Sequence, residues 1–187
     1  MISAQDLIAA LGLKPLLPEG GYYRETYRSE DELPAGAVAG RFRQGRAVAS
    51  AIYYLLTADT FSALHRLPAD EIYHFYLGDP VVMLQLLPSD EGRFSTLGTE
   101  VLRGQSPQVI VPAGTWQGSY LVPGGNFALL GATMAPAFDF SDYEPADRDE
   151  LLARYPAFAD EIARLTIRIT GQDSDGGGPA KASSNIQ

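Results

Sequence analysis

The stretch HRLPADEIYHFYLG, residues 65–78, decides how this chain is interpreted, because it contains both of the chain's histidines and a glutamate between them. His65 ends one apolar run, residues 68–70 form a Pro-Ala-Asp turn, and Glu71 begins the next apolar run. If a tight hairpin joins two strands here, the imidazole and the carboxylate can point the same way. We therefore expect His65 and Glu71 to form a pair suited to proton transfer or metal binding.

Short apolar runs of the same kind extend in both directions from this stretch. They are rich in Val, Ile, Tyr, Phe and Leu, and turns containing Gly, Pro or Asp separate most of them. Many short strands at near-regular spacing are typical of an all-β sandwich or small barrel, and a parallel α/β sheet would need helical runs between them. The predicted strands are residues 22–27, 47–57, 61–65, 71–77, 81–87, 108–111, 118–122 and 127–133.

Helices are predicted on both sides of this β region. Ser3 and Asp6 form an approximate capping box at the start of a short helix, which Gly12 ends. After the last strand, Pro145 occupies the predicted first position of a second helix, and residues 158–165 are predicted to add one or two helical turns. The sequence therefore predicts short helical segments at the N- and C-terminal ends of the domain.

One domain accounts for most of the chain. Hydrophobic residues make up 45% and charged residues 20% of the 187 residues, which is a globular composition. We predict a single domain over residues 1–170. Residues 171–187 are rich in Gly, Ser and Ala and have one large aliphatic side chain, so we predict a disordered tail there.

Charge and composition exclude several classes of function. The net charge of −9 argues against a nucleic-acid partner, which a basic patch would attract. The chain has no cysteine, which excludes a thiolate metal site and a cysteine nucleophile. No apolar stretch approaches the roughly 18 residues of a membrane-spanning helix, and no leader-like segment is present. We therefore expect a cytoplasmic protein that binds neither membranes nor nucleic acids.

The spacing of the central residues resembles the cupin superfamily. His65, Glu71 and Gly78 keep the spacing of the first cupin motif, in which Leu67 stands in place of a second histidine. The later string PAGTWQ resembles the middle of the second cupin motif, and its Gln117 replaces that motif's histidine. The two partial motifs occur in the expected order on a β-rich chain.

Five longer strings resemble one group of cupins more closely, the cupin-5 or DUF985 family. This resemblance covers roughly residues 5–165 and implies an all-β fold, the cupin double-stranded β-helix or jelly-roll barrel. It also implies a homodimer and a pocket inside the barrel, but no particular reaction. The strings are PEGGYYRETYRS (18–29), SAIYYLLT (50–57), ALHRLPADEIYHFYLGDP (63–80), PQVIVPAGTWQ (107–117) and APAFDFSDYE (135–144).

The substitutions in the motifs weaken the expected metal site. A typical cupin site has three imidazoles and one carboxylate, whereas this chain offers His65, Glu71 and Gln117 as ligands. An amide oxygen is a weaker ligand than imidazole for a borderline metal, and Leu67 cannot bind one. We therefore expect no firmly held cofactor, and at most a weakly bound divalent metal.

Acid/base chemistry needs no metal and suits the same residues. His65 is the predicted general base, with Glu71 orienting its imidazole. Gln117 is predicted to donate to a carbonyl or enolate oxygen, and a tyrosine such as Tyr73 to act as the acid. This set resembles the metal-independent cupin epimerases of nucleotide-linked sugars.

A small-molecule ligand is the expected partner in the pocket. Strand alternation places His74 on the face opposite Glu71, where it would be a partly buried residue of a sheet or dimer interface. Only a bulge that shifts the register would bring His74 into the same site as Glu71. Arg24 lies either in the pocket or on an interface strand. The predicted ligand-binding residues are Tyr53, Phe61, Phe75, His74 and Arg24.

Three functions stay open at this point. The first is an isomerase, epimerase or lyase that transfers a proton at a carbon next to a carbonyl. The second is a non-catalytic protein that binds a small ligand in the same pocket. The third is a cupin enzyme that uses a weakly bound metal.

Overall fold

Two antiparallel sheets pack around a shared interior in the computed structural model, which describes residues 2–38, 42 and 44–167. The predicted disordered tail at 171–187 lies outside the described residues. The strands are β1 (Lys14–Pro15), β2 (Tyr22–Arg28), β3 (Glu32–Leu33), β4 (Arg46–Ala47), β5 (Ser50–Thr57), β6 (Ser62–Arg66), β7 (Glu71–Gly78), β8 (Val81–Leu86), β9 (Gly92–Leu97), β10 (Gln108–Val111), β11 (Trp116–Leu121), β12 (Phe127–Met134) and β13 (Glu144–Pro145).

The strand order defines the two layers of the jelly roll. The six-stranded sheet runs β1-β2-β5-β12-β7-β10 and the five-stranded sheet runs β13-β6-β11-β8-β9, while β3 and β4 form a separate pair. All eight predicted strands are present, and β9 is an additional strand that its polar sequence GRFSTL concealed. The all-β prediction is therefore confirmed.

The helices lie at the two ends of the described chain. They are α1 (Ala4–Leu11), α2 (Arg148–Arg154) and α3 (Ala159–Leu165), with 3₁₀ turns at Val101–Arg103, Phe140–Asp142 and Pro156–Phe158. Ser3 makes the predicted capping box with Asp6, and Gly12 ends α1 in the left-handed conformation. Among the described residues, no helix is long and apolar enough to cross a bilayer.

The predicted role of Pro145 at a helix start is wrong. Pro145 lies in β13, where it pairs with His65, and the side chain of Asp147 caps the start of α2 instead. The first turn of α2 therefore begins three residues later than the proline suggested. This short strand matters for the site, because its pairing with β6 holds Tyr143, the residue just before it, against His65.

The link between β6 and β7 is a corner and not a hairpin. β6 belongs to the five-stranded sheet and β7 to the six-stranded sheet, so the chain passes from one sheet to the other between them. His65 and Glu71 therefore approach each other from opposite sheets, and both side chains are buried. The expectation that they share the interior is confirmed, by a different connection from the one proposed.

Apolar side chains fill one end of the barrel interior and both of its outer faces. The interior cluster joins the two sheets through residues such as Leu56, Met83, Leu97, Leu121 and Leu130. On the outer faces, α1 packs against the six-stranded sheet, and α2 and α3 pack against the five-stranded sheet. Burying these surfaces is the main stabilising term for the fold.

Candidate functional site

The other end of the barrel interior contains a cavity of about 490 Å³. Its volume suits a small organic molecule. Polar side chains are concentrated at its inner end, although the barrel interior beneath it is apolar. The residues that carry its chemistry are Glu19, Tyr23, Tyr54, His65, Glu71 and Tyr73.

The acidity of Glu71 is strongly altered by its place in the cavity. Its side chain is buried, accepts a 2.6 Å hydrogen bond from Gln117 Nε2 and is hydrogen-bonded to Tyr73. Burial, reinforced by the negative charge of Glu19, raises the pKa of the Glu71 carboxyl to about 7, against the opposing effects of His65 and the hydrogen bonds. Both protonation states are therefore populated near neutral pH, as a general acid/base requires.

His65 is held rigidly beside this carboxyl. Its Nδ1 lies 2.8 Å from the carbonyl oxygen of Ala63, which can only accept, so Nδ1 carries the proton. Tyr143, just before β13, stacks on the imidazole with ring centroids 5.0 Å apart. The predicted orientation of His65 by Glu71 is wrong, because the Ala63 carbonyl and the Tyr143 ring perform that role.

Gln117 connects the two groups. Its Nε2 donates to Glu71 and lies 3.4 Å from His65 Nε2, whereas its Oε1 is buried and has no hydrogen-bond partner in the part of the chain that the structure describes. The predicted donation from Gln117 to a ligand oxygen does not agree with this geometry, because the amide protons face Glu71 and His65. Gln117 is thus a positioning residue that fixes the carboxylate relative to the imidazole.

Glu19 is a second buried carboxylate that the sequence analysis missed. It lies on the cavity wall and accepts a 2.8 Å hydrogen bond from Ser62 Oγ. Gly20 and Gly21 bring this segment close to the sheet, because a Cβ on Gly20 would collide with the carbonyl of Phe61. Both glycines have positive φ, at 110° and 70°. A Gly-Gly pair in a sequence is usually interpreted as a turn, whereas this one marks a close backbone approach.

Two tyrosines line the cavity beside the carboxylates. Tyr54 donates to the carbonyl oxygen of Gly20 at 3.0 Å, and Tyr73 is hydrogen-bonded to Glu71. Burial, followed by the nearby carboxylates, raises the pKa of both phenols well above their ordinary value. Each tyrosine therefore stays protonated and can act as a hydrogen-bond donor.

Four of the five predicted ligand-binding residues lie outside this cavity. Tyr53 and His74 lie on the outer face of the six-stranded sheet, where Tyr53 packs beneath α1 and His74 contacts Thr133 and Gln108. Phe75 points inward but packs against the interior apolar cluster. Phe61 packs between the five-stranded sheet and the C-terminal helices.

Arg24 reaches the mouth of the cavity, as predicted, but its guanidinium leans over the Tyr53 ring on the outer face. Lys14 lies over the ring of Tyr23 at the same mouth, and Arg28 is paired with Glu25. The positively charged side chains are therefore at the rim, and the two buried carboxylates are at the inner end.

The residues present do not fit the metal ion of a typical cupin. Within residues 2–38, 42 and 44–167, no cluster of three or more His, Asp or Glu side chains could hold a metal. The Gln117 amide nitrogen faces Glu71 and His65, where a metal would need their lone pairs, and an N–H donor cannot act as a ligand. Leu67, at the place of the second histidine, contributes an apolar wall.

The chain belongs to the cupin superfamily, within the Cupin_5 family (DUF985), whose model matches residues 5–146. An uncharacterized protein of Saccharomyces cerevisiae is 29% identical over 133 residues, which are 67% of this chain and 66% of the yeast protein. The alignment thus spans about two thirds of each protein.

Two solved structures share this fold closely. A protein from Shewanella oneidensis is 34% identical with a TM-score of 0.79, over 89% of this chain and 99% of that one. A hypothetical protein from Leishmania major is 30% identical with the same TM-score, over 89% of this chain and all of that one (100%). A cupin 2 domain-containing protein from Halorhodospira halophila, 15% identical with a TM-score of 0.51, shares the fold alone.

Proposed function

We propose that this cupin binds a small molecule in its barrel cavity and acts on it as an isomerase, epimerase or lyase by proton transfer. One observation carries the proposal: the buried carboxyl of Glu71, with a pKa of about 7, faces a ligand-sized cavity. A carboxyl exposed to water would be fully ionised at neutral pH and a weaker base.

The geometry favours Glu71 over His65 as the group that moves the proton. Glu71 takes a proton from the carbon next to a carbonyl, and an enolate forms. Returning that proton to another position or face gives the isomer, whereas loss of a neighbouring group gives the lyase product. Gln117 and Tyr73 hold the carboxylate, and their hydrogen bonds stabilise its ionised form.

Tyr54 and His65 complete the site in this scheme. The His65 ring faces the ligand from the cavity wall, and the Tyr54 hydroxyl, whose proton goes to the Gly20 carbonyl, can accept a hydrogen bond from the ligand. The apolar walls formed by Leu16, Ile52 and Leu67 exclude water and strengthen these interactions. A homodimer and a cytoplasmic location stay predictions, and light scattering in solution tests the first.

Deuterium exchange tests the proposal while the substrate is still unidentified. The protein is incubated in D₂O with a panel of sugars, keto acids and hydroxy acids, and incorporation at carbon is followed by NMR. We expect at least one compound to exchange, and Glu71→Gln to abolish that exchange. Glu150→Gln, on the exposed side of α2, removes the same charge and should leave exchange unchanged.

Two results would overturn the proposal. One is exchange that survives in Glu71→Gln at the wild-type rate. The other is a panel in which compounds bind in the cavity of the wild-type protein and none of them exchanges a proton, which would make the protein a non-catalytic binder.

A further inference from the structure

The two buried carboxylates of the cavity lack a positively charged partner. Glu19 and Glu71 are 9% and 7% exposed, and neither forms an ion pair among the described residues. Lys14 and Arg28, the nearest candidates at the rim, are engaged with Tyr23 and Glu25. Buried carboxylates are ordinarily paired with a cation, because their charge is costly away from water.

Their hydrogen bonds leave acceptor capacity unused. Glu19 receives a hydrogen bond from Ser62, and Glu71 receives hydrogen bonds from Gln117 and Tyr73. A carboxylate accepts about four hydrogen bonds, so each has room for further donors. These acceptors face the same enclosed space.

The amide of Gln117 supplies an independent sign of a missing donor. Its Oε1 is buried and has no partner among the described residues, and its Nε2 donates to Glu71, so the amide belongs to the same cluster. An unpaired buried carbonyl oxygen is unfavourable unless something donates to it. Glu19 and Glu71 therefore face the cavity as acceptors, and the unpaired amide oxygen beside them adds to the local excess of acceptors over donors.

The walls suit a cation better than a neutral group. Tyr23, Tyr54 and Tyr73 contribute aromatic rings to the lining, and the rings attract a cation placed over their faces. Lys14 already makes such a contact at the mouth of the cavity, 5.1 Å from the Tyr23 centroid.

We infer that the cavity takes a small molecule carrying a primary ammonium group, which Glu19 anchors while Glu71 faces the reacting carbon. An ammonium group brings a positive charge and three donors, whereas a hydroxyl brings one donor and no charge. This inference rests on the proposed function only in taking the cavity as the ligand site. It divides the two carboxylates between binding and proton transfer.

Matched pairs of amines and alcohols test this inference by titration calorimetry or ligand-observed NMR. The probes are glucosamine with glucose, and serinol with glycerol, and glucose 6-phosphate represents an anion. We expect at least one amine to bind the wild-type protein about tenfold or more tightly than its alcohol, as a charged hydrogen bond implies. Glu19→Gln should remove that preference while Glu150→Gln, far from the cavity, keeps it.

The wild-type comparison decides the matter even if Glu19→Gln fails to fold. Binding of an alcohol or of the phosphate as tightly as the amines would overturn the inference, and the cavity would still be a ligand site. Binding of none of the five probes at 10 mM, roughly ten-thousandfold above a Kd of about 1 μM, would also overturn it. Neither result bears on deuterium exchange, which judges the proposed function separately.

Discussion

The two ends of the barrel interior are built by the same strands but differ in chemistry. We call the apolar end, opposite the cavity, the closed end, and the end that contains the cavity the open end. At the closed end, Leu56, Val81 and Leu121 are almost completely buried. At the open end, the same sheets contribute Glu71 and Gln117, on β7 and β11. Antiparallel pairing sets Gln117 opposite His65 within one sheet, and Glu71 reaches Gln117 from the other sheet across the interior.

This difference shows how a stable core can support a costly site. Buried carboxylates and unpaired polar atoms destabilise the open end, and the apolar end supplies the compensating burial. His65, Glu71 and Gln117 lie close to the ends of their strands, so they leave most of the inward-facing apolar pattern intact. The comparison can be tested by changing one end at a time.

A truncation at the closed end should have the largest effect. Leu130 is completely buried, and Leu130→Ala should lower the free energy of unfolding by about 3–4 kcal/mol, because it opens a void in a packed cluster. Met134→Ala, on the same strand at the cavity wall, should cost roughly half as much, since the lost atoms already border open space. Urea denaturation measures both, and equal losses would contradict the comparison.

Removing the Glu71 charge should stabilise the protein at high pH. The pKa of Glu71 is about 7 in the folded state and has the ordinary value of 4.5 in the unfolded chain. Between these two pH values the folded state therefore binds more protons than the unfolded state does. The free energy of unfolding therefore falls as pH rises through this range. Above pH 7 we expect the free energy of unfolding of Glu71→Gln to be up to about 3 kcal/mol higher than that of the wild type. This difference should vanish below the ordinary pKa of a glutamate.

The control for this prediction is Glu150→Gln, whose stability should follow the wild-type pH curve. A gain in Glu71→Gln that is constant with pH would show that packing, and not the buried charge, causes it.

Gln117→His should turn the open end towards metal binding. The substitution replaces the amide donor with an imidazole, so the site then has two imidazoles and the Glu71 carboxylate. We expect about one zinc ion per chain after dialysis, as three protein ligands suffice for a zinc site. Elemental mass spectrometry measures the zinc content of the variant and of the wild type, which is the control. Equal zinc content in both proteins would contradict the role assigned to Gln117.

The two histidines should differ in their contributions. His65→Gln removes a buried ring that stacks on Tyr143, so it should lower the free energy of unfolding by about 1–2 kcal/mol and impair turnover. His74→Gln changes a partly buried residue on the outer face, and it should cost about 0.5 kcal/mol or less and leave turnover unchanged. A loss of turnover in His74→Gln would place the site elsewhere.

The fold was largely predictable because the turn residues and apolar runs mark where most of the strands begin and end. His65 and Glu71 were also predictable as a buried pair, since the spacing on both sides of the Pro-Ala-Asp turn limits their positions. Gln117 was identified as a site residue, but its hydrogen-bond partners depend on how two sheets pack. The spacing of residues along the sequence does not show how the two sheets pack against each other.

The residues that line the cavity were harder to predict. In SAIYYLLT both faces of β5 are apolar, because α1 covers one and the barrel interior covers the other, so alternation does not show that Tyr54 faces inward and Tyr53 outward. Glu19 is set by a close approach between Gly20 and a distant strand, which no local pattern reveals.

The pKa of Glu71 tests the central claim most directly. Carbon-13 NMR of the glutamate side-chain carboxyls, titrated from pH 3 to 9, gives each pKa, and Glu71→Gln assigns the resonance that it lacks. We expect one glutamate to titrate at about 7, through burial beside Glu19. A Glu71 resonance that titrates near the ordinary value of 4.5 would contradict the proposed acid/base site.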